Sequence, residues 1–191
     1  MSSEFPDEMP GLDFGRSRDE RERESDDEDD VERERLLVFE IGDRRFAAMV
    51  DAVRTVVEPG DLTRVPLSSA AIEGVMDLRG EITAVINPRV HLGVSTPPSN
   101  SERERIVIFH RPPDCQPAGI RVDRVVDVEA FPAPLFYAVD EVEDDSFRTP
   151  DDVVAAVVQR FADGEVTEAI GVLDTEALVE ASGRVATQPT S

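Results

Sequence analysis

Apolar residues in this chain fall in short runs divided by turn residues. LLVFEI over 36–41, the pair Gly42-Asp43 and RRFAAMV over 44–50 together have the form of a hairpin. Val53 to Val57 continues the β-rich character, and Glu58-Pro59-Gly60-Asp61 supplies the turn after it. Ser68 to Ile72 fits a helical turn, and Gly74–Leu78 and Glu81–Ile86 read as two strand segments meeting near Gly80. Asn87-Pro88 then places an N-cap before a proline at the first helical position, so a short helix through Val90 is expected. Short β-branched segments between turns predict an all-β sandwich or barrel, not strands alternating with long helices.

The same order of segments recurs. RIVIF (105–109) echoes LLVF, and AGIRVDRVVDVE (118–129) echoes AAMVDAVRTVVE (47–58) through a shared V-D-x-V. GEIT (80–83) matches GEVT (164–167), and VINPRVHL (85–92) matches VLDTEALV (172–179), so two related halves are implied. Val50 to Gly80 is 30 positions and Val122 to Gly164 is 42, which leaves about 12 extra residues in the second half. The charged stretch Asp140–Pro150 is the natural place for them, as an exposed loop tolerant of change. Thr149-Pro150-Asp151-Asp152 has capping-box spacing, yet VVAAVV after it fits a buried strand equally well.

The first 35 residues hold ERERESDDEDDVERER and almost nothing apolar after Phe14, which predicts a disordered acidic tail; 183–191 is small and polar and is expected to fray. The run Asp26–Asp30 lacks the spaced ligands and turn glycine of a calcium loop, so no metal is expected there. Over the whole chain, 42 acidic residues face 20 basic ones, every one of them arginine, for a formal charge of -22. Such a surface repels nucleic-acid phosphates and anionic membranes. Its self-repulsion is strong in dilute salt and weak at molar salt, where the screening length is about 3 Å. Two readings follow: a chain adapted to a salt-rich cytoplasm, or an ordinary acidic protein with one long acidic tail. No apolar run approaches the roughly 20 residues that span a bilayer, and a soluble cytoplasmic chain is expected.

The inventory for catalysis is thin. Cys115 is the single cysteine, which leaves no intramolecular disulfide and no cysteine-based zinc cluster and reads as an inert loop thiol. The two histidines, His91 and His110, sit in no metal-ligand pattern, and no glycine-rich phosphate loop is visible. His91 closes the first short helix as a C-terminal dipole partner, and His110 ends a strand. A Ser-His-Asp set assembled in space stays open, because such sets have no fixed spacing. No enzyme activity and no cofactor are expected.

FEIGDRRFAAMVDAVRTVVEPGDLTRVP, AIEGVMDLRGEITAVINPR, AGIRVDRVVDVE and GEVTEAIGVLDTEALV together resemble the CheW chemotaxis coupling proteins and the CheW-like domain of the kinase CheA. The likeness covers about 36–182, and its sharpest word is Asp77-Leu78-Arg79-Gly80, where the family has Asn-Leu-Arg-Gly. It implies two intertwined, five-stranded SH3-like β-barrels with short helices, and it tips Val153–Phe161 toward strand. It further implies a non-enzymatic adaptor holding the cytoplasmic tips of chemoreceptors and the regulatory domain of the histidine kinase CheA in one signalling array. Receptor contact would lie near the groove between the barrels, and kinase contact on the exposed surface of one.

On that likeness, Asp77, Leu78, Arg79, Gly80, Val53 and Thr55 become partner-binding candidates. Gly80 permits a tight turn and close approach of a partner, while Arg79 offers a planar cationic fork to carboxylates and carbonyls. Arg79 reads otherwise as the ion-pair partner of an acidic neighbour in its own domain, and Val53 equally as core packing. Thr55 stands where the family commonly has Glu, Ala84 replaces its proline, and Asn87-Pro88 replaces the Asp-Leu of its Asp-Leu-Arg ending. A divergent SH3-like module binding a different receptor or regulatory partner is therefore the alternative function.

Overall fold

A computed structural model describes residues 31–99 and 101–183. Of the expected tails over 1–35 and 183–191, residues 1–30 and 184–191 lie outside the described residues. Among the described residues eleven strands form two sheets. The strands are β1 (Arg33–Ile41), β2 (Arg44–Met49), β3 (Val53–Val57), β4 (Ile72–Leu78), β5 (Glu81–Ile86) and β6 (Arg105–Phe109). They continue as β7 (Ala118–Val122), β8 (Arg124–Pro132), β9 (Phe136–Tyr137), β10 (Val154–Ala162) and β11 (Glu165–Leu173). Two helices complete the set, α1 (Arg89–Leu92) after β5 and α2 (Thr175–Gly183) after β11.

The first sheet runs β8-β1-β2-β11-β10-β9 and the second β3-β6-β7-β5-β4. Apart from the added edge strand β9, the two orders match. An antiparallel hairpin, β1–β2 or β6–β7, lies between a strand on one side and a parallel neighbour on the other. That parallel pairing is β2 with β11 in one sheet and β7 with β5 in the other. Each sheet therefore takes its central hairpin from one half of the sequence and its other strands from the opposite half. The repeat is real, but the halves have exchanged hairpins.

Neither sheet is a closed five-stranded barrel; they are open SH3-like sheets of six and five strands whose edges are joined by side chains. In the first, Arg160 on β10 donates to Glu129 on β8 and lays its guanidinium 4.8 Å above the Phe131 ring. Alternating charges continue across the same face: Arg160 to Glu168 at 2.8 Å, Glu168 to Arg45, Arg45 to Glu40 at 3.7 Å and Arg124 to Glu40 at 2.5 Å. In the second sheet Arg54 on β3 meets Glu81 on β5 at 2.6 Å.

The continuous apolar runs have a packing reason. In β1, Leu37, Phe39 and Ile41 enter the large core shared by both sheets, while Leu36 and Val38 enter a smaller cluster within their own sheet. In β6, Val107 and Phe109 join the shared core, and Ile106 and Ile108 the inner cluster of the second sheet. A strand buried on both faces has no polar positions to alternate.

Two expectations change, and one open reading is settled in favour of strand. β1 begins at Arg33 because Arg33, Glu34 and Arg35 pair with Pro132, Phe131 and Ala130 of β8, so sheet pairing overrides their polar composition. Asp140–Pro150 contains two 3-10 turns, but Val142 and Phe147 plunge into the shared core and pin it, so it is not uniformly tolerant. VVAAVV is strand: Thr149 Oγ1 accepts the Val153 N–H at 3.0 Å, and Asp152 turns the chain at φ +50° before β10. The capping-like residues cap a turn, and strand pairing with β11 settles the rest.

Candidate functional site

Leu78 and Glu81 close β4 and β5 around a two-residue turn in which both residues are left-handed, Arg79 at φ +56° and Gly80 at +85°. Two successive positive φ values are the signature of a type I′ hairpin turn, whose twist matches that of the strands. Asp77 Oδ1 accepts the Gly80 N–H at 2.6 Å and fixes the turn. Glycine takes its position without strain, whereas arginine does not: a left-handed L-residue costs about 1–2 kcal/mol. Arg79 is exposed, and no ion pair or hydrogen bond engages its guanidinium among the described residues. The alternative in which it pairs within its own domain has no partner there.

Leu78 and Arg79 share a cleft of about 470 Å³ with Arg54, Thr55, Val57 and Glu81. Five of the six predicted residues thus meet at one place: Thr55, Leu78 and Arg79 in the lining, and Asp77 and Gly80 as the cap and the left-handed residue of the turn beside it. Val53 goes elsewhere. A β-bulge between Val53 and Thr55 breaks the alternation on β3, so Val53 packs with Val56 against the shared core. Val57 goes instead with Leu78 to the inner cluster. Core packing, one of the two readings of Val53, is the place the structure gives it.

Sequence reasoning also missed Arg54, Val57 and Glu81. The cleft lacks a carboxylate at Thr55, but Glu81, directly after the turn, supplies one and holds Arg54 across the sheet edges. Position beside the turn was the available signal.

A second cleft, of about 510 Å³, lies between the second sheet and α2. Ile72, Ile86, Phe109 and Val179 give it an apolar floor, and His110, Arg111, Glu176 and Glu180 stand among its polar lining. Because α2 follows the last strand of the first sheet, this is the groove between the two subdomains. Cys115 is half-buried in its lining.

The Ser-His-Asp possibility has a definite outcome. His91 Nδ1 lies 2.8 Å from Asp151 Oδ2 and Nε2 lies 3.0 Å from Ser182 Oγ. Ser182 is 0% exposed and its hydroxyl also reaches the Leu178 carbonyl at 2.7 Å, so no substrate has access to it. His91, expected to cap its own helix, instead ties α1 to α2. Among the described residues no group of three or more His, Cys, Asp or Glu is placed to hold a metal ion, and no helix is long and apolar enough to cross a membrane.

Two hairpin-exchanged sheets with an inter-subdomain groove define an SH3-like fold. The family model for the CheW-like domain matches residues 35–182, and the chain belongs to that family. Among curated relatives, the chemotaxis protein CheW of Thermotoga maritima is 38% identical over 93 residues, covering 49% of this chain and 59% of that protein. The chemotaxis protein CheW of Helicobacter pylori is 30% identical over 89 residues, covering 47% of this chain and 52% of that protein. The chain thus spans between half and three fifths of the length of these two relatives. The crystal structure of the scaffolding protein TtCheW from Thermoanaerobacter tengcongensis superposes with a TM-score of 0.67 at 22% identity, covering 81% of this chain and 93% of that one; it shares the fold.

Proposed function

We propose that this protein is a non-enzymatic chemotaxis adaptor that couples the cytoplasmic tips of chemoreceptors to the regulatory domain of the histidine kinase CheA. It acts in the cytoplasm, recruited to membrane-associated receptor arrays. Family membership supports the reading, as do relatives named chemotaxis protein CheW and a scaffolding protein of the same fold. The observation that carries it is Arg79. In a chain of charge -22, a guanidinium with many potential partners is held on a left-handed turn and left unpaired among the described residues. That cost is explained by a partner bearing carboxylates or carbonyls, as the surface of a receptor hairpin does. The inter-subdomain groove beside α2 offers the apolar surface against which such a helical hairpin would lie, and the outer strands of one sheet remain for the kinase.

The test is a pull-down at molar salt using wild type and Arg79→Ala, against a receptor cytoplasmic hairpin and the kinase regulatory domain from the same cell. The adaptor reading expects wild type to bind both and the variant to lose mainly the receptor. A folded wild type that binds neither would remove the adaptor role and leave an SH3-like module with another partner.

A further inference from the structure

Helix α2 walls the inter-subdomain groove through Thr175, Glu176, Val179 and Glu180, and a buried polar chain holds its far end. Ser182, in its last turn, meets His91 of α1, and His91 meets Asp151 of the lead-in to β10. His91 and Ser182 are 6% and 0% exposed, and Ser69 donates to the Ser182 carbonyl, so four separate segments converge here.

Counting hydrogens gives the chain a direction. An ionised Asp151 only accepts, so Nδ1 of His91 carries a proton. Ser182 has one hydroxyl hydrogen and two acceptors in reach, the Leu178 carbonyl at 2.7 Å and, when it is unprotonated, His91 Nε2 at 3.0 Å. With an imidazolium, Nε2–H donates to Ser182, Ser182 donates to Leu178, and each atom of the chain is paired. With a neutral ring, Ser182 must abandon either the helix carbonyl or the histidine, and both side chains are buried. The groups bonded to the ring are the Asp151 carboxylate from the β10 lead-in and the uncharged Ser182 from α2. On its own helix the neighbouring cation, Arg89, is turned to Asp123, while the α2 carboxylates Glu176 and Glu180 line the groove.

We propose that His91 is a proton-operated latch on α2. The doubly protonated ring clamps the helix to α1 and the β10 lead-in; loss of the Nε2 proton loosens the helix and the groove wall it forms. The effect on receptor binding rests on the function proposed above, but the latch does not, and it is read without any receptor.

The experiment uses the full chain at molar salt and follows the His91 ring nitrogens by NMR between about pH 5 and about pH 8. Amide exchange of residues 175–183, corrected for intrinsic chemistry, is measured at both ends of that range. Loss of the Nε2 proton should quicken exchange in α2 about five-fold, the equivalent of one hydrogen bond, with β6 unchanged. His91→Gln should abolish the α2 step; a step that persists in this variant overturns the latch. A ring that keeps one proton throughout, or one that titrates while α2 exchange stays constant, overturns it as well. Should His91→Gln not fold, the wild-type ring and exchange data decide alone.

Discussion

Replacing Arg79 by asparagine separates docking from folding at one residue. Arg79 sits at φ +56° ahead of Gly80 at +85°, and Asn-Gly is the dipeptide that such a turn favours most. The turn's other supports, the Asp77 to Gly80 hydrogen bond at 2.6 Å and the Arg54–Glu81 pair at 2.6 Å, do not involve the Arg79 side chain. A left-handed arginine costs about 1–2 kcal/mol, of which asparagine relieves part. The net expectation is a gain of about 0.5–1 kcal/mol, or about 1–4 °C in melting temperature for a domain of this size. The assay is denaturant and thermal unfolding at molar salt, where removing one cation from a chain of charge -22 adds little repulsion. The same sample then enters the receptor pull-down. Arg79→Asn should be more stable than wild type and poorer at receptor binding. A loss of more than about 1 kcal/mol would refute the reasoning, because it would mean that the arginine supports its own domain.

Phe147→Ala should cost about 3–5 kcal/mol by chemical denaturation, since the ring is buried, packs edge-on to Phe46 at 6.2 Å and carries the Arg44 guanidinium at 4.8 Å. Glu143→Ser, in the same loop but exposed, should stay within about 0.5 kcal/mol. Asp144 accepts hydrogen bonds from Ser146 and faces Arg44, which hold its carboxyl below the ordinary range. A depressed carboxylate stabilises the fold above its unfolded pKa and loses that contribution as pH falls through the folded value. Unfolding of wild type and Asp144→Asn should therefore differ near neutrality and converge as pH drops from about 5 to about 3. The salt-adapted reading of the composition expects the melting temperature to climb as potassium chloride approaches molar concentration; a fall on adding salt would contradict it.

What could be read from the letters is what neighbouring residues decide. The runs LLVFEI and RIVIF, the Gly42-Asp43 and Arg79-Gly80 turns and the V-D-x-V repeat gave strands, hairpins and two related halves, because strand preference and turn chemistry act over a few residues. Leu78, Arg79 and Gly80 could be singled out for the same reason: a turn and its flanks are one local object.

Contacts between distant residues were decided only by the fold. The parallel pairings β2 with β11 and β5 with β7 exchange hairpins between the halves, and no local preference encodes partners that are 125 and 34 residues apart, as Arg45 and Ile170 and Ala84 and Ala118 are. A single bulge sent Val53 into the core and left Thr55 in the cleft. Pairing with β8 drew the charged Arg33–Arg35 into a strand, and the shared core claimed Phe147 from a segment that reads as loop. His91, Asp151 and Ser182 are scattered over the chain and meet because α2 packs back across the seam. His91 and Ser182 are bound to one another and to Asp151 because the packed sheets bury them, a constraint that arises only once the fold has formed.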